Sequence, residues 1–281
     1  MLPDFIVIGG MKCGTTALWQ YLRDHPHLHV PELRKNLEFF TPEGAAAHTV
    51  DWYAACFADA PATAQAVGEI STEYTKHPYI AGVPARMAAV VPEARLIYLV
   101  RDPIERIISH YLHQLNAARE MRPFHAAVSE EPHNRYLAYS RYHEQIEQFL
   151  SHYPAEHILV LTSEELRADP AATLMRLCHF LGVESDHTPA APVITHTRAE
   201  KRRWNALGRA IRRTPRAYDR YRYYRSRLPM PAQRFADAIT GGPAAAPVIG
   251  PETRALLIDR LAPDAERLRA FCGRDLPGWQ V

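Results

Sequence analysis

The chain has 281 residues, 33 Lys+Arg against 31 Asp+Glu, a formal net charge of +2 and 47% hydrophobic residues. This apolar fraction argues against a disordered chain, and so small a charge surplus argues against a strongly basic nucleic-acid binder. No apolar run reaches the roughly 18 to 20 residues of a membrane-spanning helix, and the N-terminus lacks the order of a signal peptide. We therefore expect no nucleic-acid partner, no integral membrane association and a cytoplasmic location.

The apolar run 5–8 is too short for a helix and ends in two glycines, which predicts a buried strand. After Gly14, the threonines at 15 and 16 can cap a helix that carries apolar residues at helical spacing through Leu22. Farther along the chain, similar patterns predict strands at 66–70, 96–100 and 158–161, and helices running through 107–115 and across 142–150. Alternating strands and helices predict an α/β fold, with a P-loop-like parallel sheet between two helical layers.

Beyond residue 182 the pattern weakens. A basic, aromatic stretch covers 201–227, a Gly/Pro/Ala connector covers 241–251, and a helix is predicted at 252–271. No repeat or clear interdomain linker is visible. We expect one α/β/α domain over 1–281 with a helical C-terminal part, in which about 200–250 form a variable region.

The glycine loop at 9–16 carries the first chemical signal, because strand, glycine turn and helix N-terminus together make an anion site. The loop departs from the nucleotide pattern G-x-x-x-x-G-K-[ST], since Thr15 stands in the place of lysine and Lys12 lies inside the loop. This displacement argues against a P-loop kinase or NTPase. It favours a phosphate ester handled without a metal, and no metal site is predicted. The chain has only four lysines, so the position of Lys12 is informative.

Residues 10–18 resemble the 5′-phosphosulfate loop of PAPS-dependent sulfotransferases, in which Lys-x-Gly-Thr-Thr is the most specific element. Arg101-Asp102-Pro103, with Ser109 eight residues after the arginine, resembles their 3′-phosphate site. Residues 142–154, 180–182 and 273–279 are also similar to family segments. The resemblance covers nearly the whole chain and points to the heparan sulfate N- and 3-O-sulfotransferase branch and its bacterial relatives.

The resemblance implies transfer of a sulfuryl group from PAPS to a hydroxyl, less readily to an amine, by in-line displacement, with PAP as product. Lys12 is expected on the bridging oxygen of the leaving phosphate, where a fixed cation stabilises developing charge. The 3′-phosphate is expected on Arg101 and Ser109, although Arg101 could instead pair with Asp102 or Glu105. The complete set of expected donor contacts is Gly10, Lys12, Cys13, Gly14, Thr15, Thr16, Arg101, Ser109, Arg198, Lys201 and Arg202.

The acceptor side departs from the family pattern. In the heparan branch a Lys-Glu-x-x-Phe-Phe element supplies the general base, and Asn36 stands in the glutamate's place here. An amide cannot take a proton, so we expect Glu38 to be the base, two residues along an extended segment and therefore on the same side as Asn36. His29, His48 and Glu69 are fallback candidates. The residues expected near the acceptor are Asn36, His48, Glu69, Ser71 and Tyr74.

Ile70 replaces a lysine of the heparan enzymes, which argues against a polysulfated glycan. We expect a small-molecule, glycolipid or natural-product acceptor. The Arg/Tyr stretch 216–225 is interpreted as an acceptor-side lid, a homodimer surface or a plain amphipathic helix. Loss of the base leaves a second hypothesis open, a catalytically impaired PAP-binding protein of the same fold.

Overall fold

The computed structural model describes residues 1–31, 35–130, 134–184 and 202–281. The chain divides into two compact units. The first comprises Met1–Arg106, Leu137–Thr195 and Leu257–Val281, and the second comprises Ile107–Tyr136 and His196–Leu256. A single sulfotransferase domain over the whole chain stays a prediction.

The first unit is built on a five-stranded parallel sheet, as the alternating pattern predicted. Its strands are β1 (Phe5–Gly9), β2 (Leu28–His29), β3 (Ala66–Ile70), β4 (Arg95–Val100) and β5 (Ile158–Thr162), in the spatial order β2-β3-β1-β4-β5. Phe5 pairs with Gly68 on one side and with Arg95 on the other. Four of the strands are apolar and almost fully buried, which parallel strands require when helices cover both faces. The two-residue β2 was not predicted.

Helices cover this sheet and build most of the second unit. In chain order they are α1 (Thr15–Arg23), α2 (Pro42–Ala47), α3 (Val50–Ala55), α4 (Val83–Val90), α5 (Pro103–Asn116), α6 (Phe124–Ser129), α7 (Arg135–Ala138), α8 (Tyr142–Leu150), α9 (Ser163–Ala168), α10 (Pro170–Leu181), α11 (Ala206–Arg213), α12 (Pro215–Arg225), α13 (Met230–Thr240) and α14 (Pro251–Cys272). In α1 the apolar face predicted from spacing is buried, through Leu18, Tyr21 and Leu22. Its N-cap is Gly14, with no side-chain cap, so the prediction that a threonine caps this helix is wrong.

The second unit contains a short antiparallel pair, β6 (Arg202–Trp204) and β7 (Gly241–Pro243), with α11 to α13 between them in the chain. The Trp204 indole is buried and its Nε1–H donates to the carbonyl of Asn116 at 2.8 Å. This indole therefore ties β6 to the end of α5. Within the described ranges, no helix is long and apolar enough to cross a membrane.

Candidate active site

The predicted site residues of the first unit follow the carboxyl ends of neighbouring strands. The glycine loop follows β1, Ser71 and Tyr74 follow β3, and Arg101 follows β4, while Ser163, which was not predicted, follows β5. In a parallel sheet these ends lie along one edge, which is where ligands of open α/β sheets bind. The topology thus brings four separate segments of the chain to one place.

The glycine loop adopts an anion-binding backbone conformation. Lys12 and Gly14 have left-handed φ values of 71° and 92°, and Cys13 lies between them. Left-handed residues in a glycine loop turn successive backbone N–H groups towards one concave anion-binding point. A non-glycine residue such as Lys12 adopts a left-handed conformation at some energetic cost, and such residues concentrate at functional sites. The first N–H groups of α1, at Thr15 and Thr16, add the helix dipole to this cradle.

Two predicted donor contacts serve the loop itself. The Gly10 N–H donates to the carbonyl of Leu99 at 2.6 Å, and the Cys13 N–H donates to Gly10 at 3.1 Å. The Cys13 side chain is fully buried with its sulfur 3.7 Å from the Tyr142 hydroxyl, and burial raises the pKa of this thiol to about 11. The Ser163 hydroxyl donates to the Cys13 carbonyl and so ties the loop to the start of α9, directly after β5. In this geometry neither residue offers its N–H or side chain to a ligand.

Lys12 lies in a strongly positive environment. Burial lowers the pKa of its ammonium group, and the nearby charges of Arg101 and Arg106 lower it further. Arg106 is fully buried, and its Nε donates to the Ser140 hydroxyl at 2.5 Å. Sequence reasoning missed Arg106, which is buried on α5 together with the polar residues Ser109 and His110.

Lys35 is a second residue that sequence reasoning did not assign to the site. Its Nζ donates to both threonine hydroxyls of the loop, at 3.1 Å to Thr15 and 2.8 Å to Thr16. An ammonium group has donors only, so each threonine oxygen accepts from Lys35 and keeps its own proton for another acceptor. Lys35 therefore leaves both hydroxyls as donors, the role an anion in the loop requires. Because the chain has only four lysines, the position of Lys35 was a signal that could have assigned it to the site.

Burial lowers the pKa of Lys35 to about 8, and the charge of Lys12 contributes. Among the described residues, no carboxylate contributes to the pKa shift of either lysine. The charge of Lys12 lowers the pKa of Lys35, and Arg101 and Arg106 lower the pKa of Lys12, so this group of cations favours an anionic ligand.

Arg101 combines an ion pair with an unsatisfied donor. Its guanidinium donates to Glu105 at 2.8 Å, the pairing that the sequence left open, while its buried Nε has no hydrogen-bond partner. The following residue, Asp102, accepts from the N–H groups of Glu105 at 2.7 Å and Gln280 at 2.6 Å. Asp102 thus caps α5 and holds the end of the chain against this edge.

The Asn36 segment is not the extended strand that the sequence suggested. Asn36 and Glu38 have left-handed φ values of 65° and 57°, so the two-residue alternation used to place Glu38 does not apply. The Asn36 N–H donates to Ile70 at 2.8 Å, and the Glu38 N–H donates to the Ser71 hydroxyl at 3.0 Å. These bonds fasten the segment to the end of β3 by its backbone. Glu38 itself is half-buried, and its role as base stays a prediction.

Glu69 lies beneath this segment in a closed hydrogen-bond cluster. Its carboxylate accepts from the hydroxyls of Tyr53 at 2.7 Å, Ser71 at 2.8 Å and Tyr74 at 2.9 Å. The side chain is 1% exposed, and burial raises its pKa. Ser71 and Tyr74 are buried with it. In this geometry the predicted acceptor residues Glu69, Ser71 and Tyr74 pack against segment 36–38 and do not line an open surface.

The remaining candidates lie on other elements of the chain. The His48 ring stacks on Trp52 with centroids 3.6 Å apart, and the His29 Nε2 lies 3.2 Å from a carboxylate oxygen of Asp59. Ser109 is buried on α5. Arg202 begins β6, while Arg198 and Lys201 lie outside the described residues. Within the described residues, no group of three or more His, Cys, Asp or Glu could hold a metal ion.

The family model for the sulfotransferase domain matches residues 2–215. The chain belongs to this sulfotransferase family. It is similar to human bifunctional heparan sulfate N-deacetylase/N-sulfotransferase 3, at 31% identity over 65% of this chain and 22% of the relative. It is also similar to mouse heparan sulfate glucosamine 3-O-sulfotransferase 3A1, at 30% identity over 65% of this chain and 46% of the relative. The chain thus spans less than half of either relative.

A crystal structure of a sulfotransferase from Alicyclobacillus acidocaldarius matches the whole chain over its own whole length, with 25% identity and a TM-score of 0.69. The family and this neighbour confirm the predicted fold class and an enzyme of the sulfotransferase type.

The first prediction concerns the proton affinity of Lys35. In protein labelled with carbon-13 at the lysine ε position, four resonances are expected, and the Lys35 resonance should titrate near pH 8. The substitution Lys12→Met should move its midpoint upwards, because a like charge is removed. The resonance that is missing from the spectrum of the Lys35→Arg variant is that of Lys35. A midpoint above pH 10 in the unsubstituted protein would contradict the described environment.

Proposed function

We propose that this sulfotransferase moves the sulfuryl group from PAPS to a hydroxyl of a small-molecule, glycolipid or natural-product acceptor. One observation carries the proposal: four buried or half-buried cations converge on a glycine loop, and the two lysines among them have no carboxylate partner in the described structure. A doubly phosphorylated nucleotide is the kind of ligand that offsets their mutual repulsion.

The residues present fit such a donor. The left-handed conformations of Lys12 and Gly14 open the loop backbone to a phosphate, and Lys35 leaves the Thr15 and Thr16 hydroxyls as donors. The buried Nε of Arg101 needs an acceptor, which supports a second phosphate there. When bound, PAPS supplies an activated sulfuryl group on a phosphate that leaves as PAP.

Lys12 is proposed as the catalytic cation. It provides positive charge where the leaving phosphate oxygen becomes negative, and burial strengthens that interaction because water is excluded. Arg106 lies behind the loop as a fixed positive charge and raises the local potential without solvent contact. Ser109, Arg198, Lys201 and Arg202 remain proposed contacts of the 3′-phosphate side.

The acceptor is proposed from the differences between this chain and its relatives. Heparan sulfate appears in the names of the curated relatives. However, Ile70 stands where the resemblance places a lysine in heparan enzymes, and the Ile70 side chain is buried. An uncharged acceptor hydroxyl therefore suits this chain better than a polysulfated glycan.

A PAP-binding protein without turnover is the second candidate, because Asn36 replaces the expected glutamate. The Asn36 carboxamide oxygen lies 3.4 Å from the Thr72 N–H, which is a structural contact. Turnover of labelled PAPS with a set of acceptor alcohols separates the two candidates.

The second prediction is that Lys12→Ala lowers kcat by about 10²- to 10³-fold, since a fixed cation opposite developing charge contributes about 3 to 4 kcal/mol to the barrier. PAP affinity, measured by calorimetry, should fall much less, because the loop backbone and Thr16 still bind the phosphate. Equal losses in kcat and affinity would assign Lys12 to binding alone.

The third prediction concerns the base. Glu38→Gln should lower kcat by about 10²-fold or more and leave PAP affinity unchanged, since an amide cannot accept the acceptor's proton. His48→Ala is the matched control and should retain turnover. Full activity of Glu38→Gln together with loss of activity in His48→Ala would transfer the role to the histidine.

A further inference from the structure

Helix α13 exposes its apolar face and turns its polar face towards the protein. Phe235 is 69% exposed and Ile239, one turn later, is 46% exposed. Pro231 and Ala238 are exposed on the same face. A surface helix of a water-exposed protein ordinarily has the opposite arrangement. The four residues Pro231, Phe235, Ala238 and Ile239 are called the α13 face below.

The polar contacts of α13 hold this orientation. The Asp237 carboxylate accepts two bonds from the Arg225 guanidinium, at 2.7 Å each, and a third from the Tyr221 hydroxyl at 3.0 Å. The Thr240 hydroxyl lies 3.2 Å from the same tyrosine oxygen. A bidentate arginine–carboxylate pair is a strong, directional contact, so rotation of α13 to bury Phe235 would break it. The exposure of the α13 face is therefore a fixed property of the second unit.

Further exposed apolar side chains occur in the same part of the chain. Leu207 lies on α11, Tyr223 and Tyr224 lie on α12, Leu228 lies between α12 and α13, and Met230 begins α13. Met230 is 61% exposed. Tyrosine rings and aliphatic chains together suit a boundary between water and an apolar phase.

These helices also carry a large net positive charge. Residues 206–240 contain nine arginines and two aspartates, a net charge of +7, while the whole chain has +2. One of the aspartates, Asp237, is bonded to Arg225. The exposed arginines of this segment are Arg213, Arg216, Arg220, Arg222 and Arg227. A segment that exposes both apolar side chains and arginines matches a partner that is both anionic and apolar.

We propose that the surface formed by α11 to α13 binds the face of an anionic phospholipid bilayer. Lipid headgroups would pair with the exposed arginines, and the α13 face would enter the boundary between headgroups and acyl chains. A free polyanion in water would bind the arginines and leave Phe235 and Ile239 exposed. It would therefore account for the charge of this surface and not for its apolar side chains. A second copy of the chain would bring two strongly positive surfaces together. The inference is independent of sulfuryl transfer.

The test is co-sedimentation of the full chain with vesicles of phosphatidylcholine mixed with phosphatidylglycerol, and with phosphatidylcholine vesicles alone. Binding is expected for the anionic vesicles and should weaken as salt is raised. Arg213→Gln/Arg216→Gln/Arg220→Gln should lower partitioning on the order of a hundredfold, about fivefold for each arginine. Phe235→Ser/Ile239→Ser should lower it at least about tenfold.

Met175→Ser is the matched control, because Met175 is also more than half exposed but lies on α10 of the first unit. It should bind vesicles as the unsubstituted chain does. All three variants change exposed side chains, and thermal unfolding checks that each remains folded.

Absence of binding to anionic vesicles at low salt would overturn the proposal. Full binding of the Phe235→Ser/Ile239→Ser variant to anionic vesicles would also overturn it. That result would assign the arginines to a soluble polyanion, and retention of the protein on a heparin column would test this assignment. Light scattering that shows a dimer, converted to a monomer by the same double substitution, would assign the face to self-association and overturn the bilayer proposal.

Discussion

The electrostatic repulsion between Lys12 and Lys35 is the constraint on which the site of the first unit depends. Two ammonium groups, with Arg101 and Arg106 nearby, are held together without a compensating acid on either lysine in the described structure. The rest of the fold supports this arrangement. The parallel sheet supplies the shared edge, Ser163 and Tyr142 contact Cys13 of the loop, and Lys35 donates to the two threonine hydroxyls that follow Lys12 in the loop. An anionic ligand would relieve this repulsion, which supports the proposed PAPS donor.

Local sequence signals predicted the frame of the fold. The strand at Ala66–Ile70 and the helix at Tyr142–Leu150 lie where the patterns placed them, because a buried strand and an amphipathic helix are determined by nearby residues. The contact between Lys35 and Thr16 was not predictable in this way, since it joins residues on different elements. The threonine hydroxyls had been interpreted as helix caps, and a cap is a purely local interpretation.

The errors also have physical causes. The placement of Glu38 assumed an extended segment, but left-handed conformations at Asn36 and Glu38 break the alternation. Glu69 was predicted to lie near the acceptor, but its carboxylate is buried and accepts from three hydroxyl groups. Helix α13 was not predicted, and periodicity alone does not say whether an apolar face meets the core or the surroundings. The contacts of Asp237 and Thr240 with α12 fix its orientation.

A net charge of +2 conceals two separate positive regions. One is a small group of buried cations, suited to a compact dianion, and the other is the arginine-rich surface of α11 to α13.

The most direct test of the central claim is calorimetric titration with PAP near pH 8, in buffers of different ionisation enthalpy. Because about half of Lys35 is neutral there and an anion raises its pKa, the account predicts metal-independent binding with uptake of up to about half a proton. Uptake should diminish as the pH falls below 7, where Lys35 is already protonated. Binding without proton uptake at pH 8, or a preference for Mg-ATP over PAP, would contradict the account.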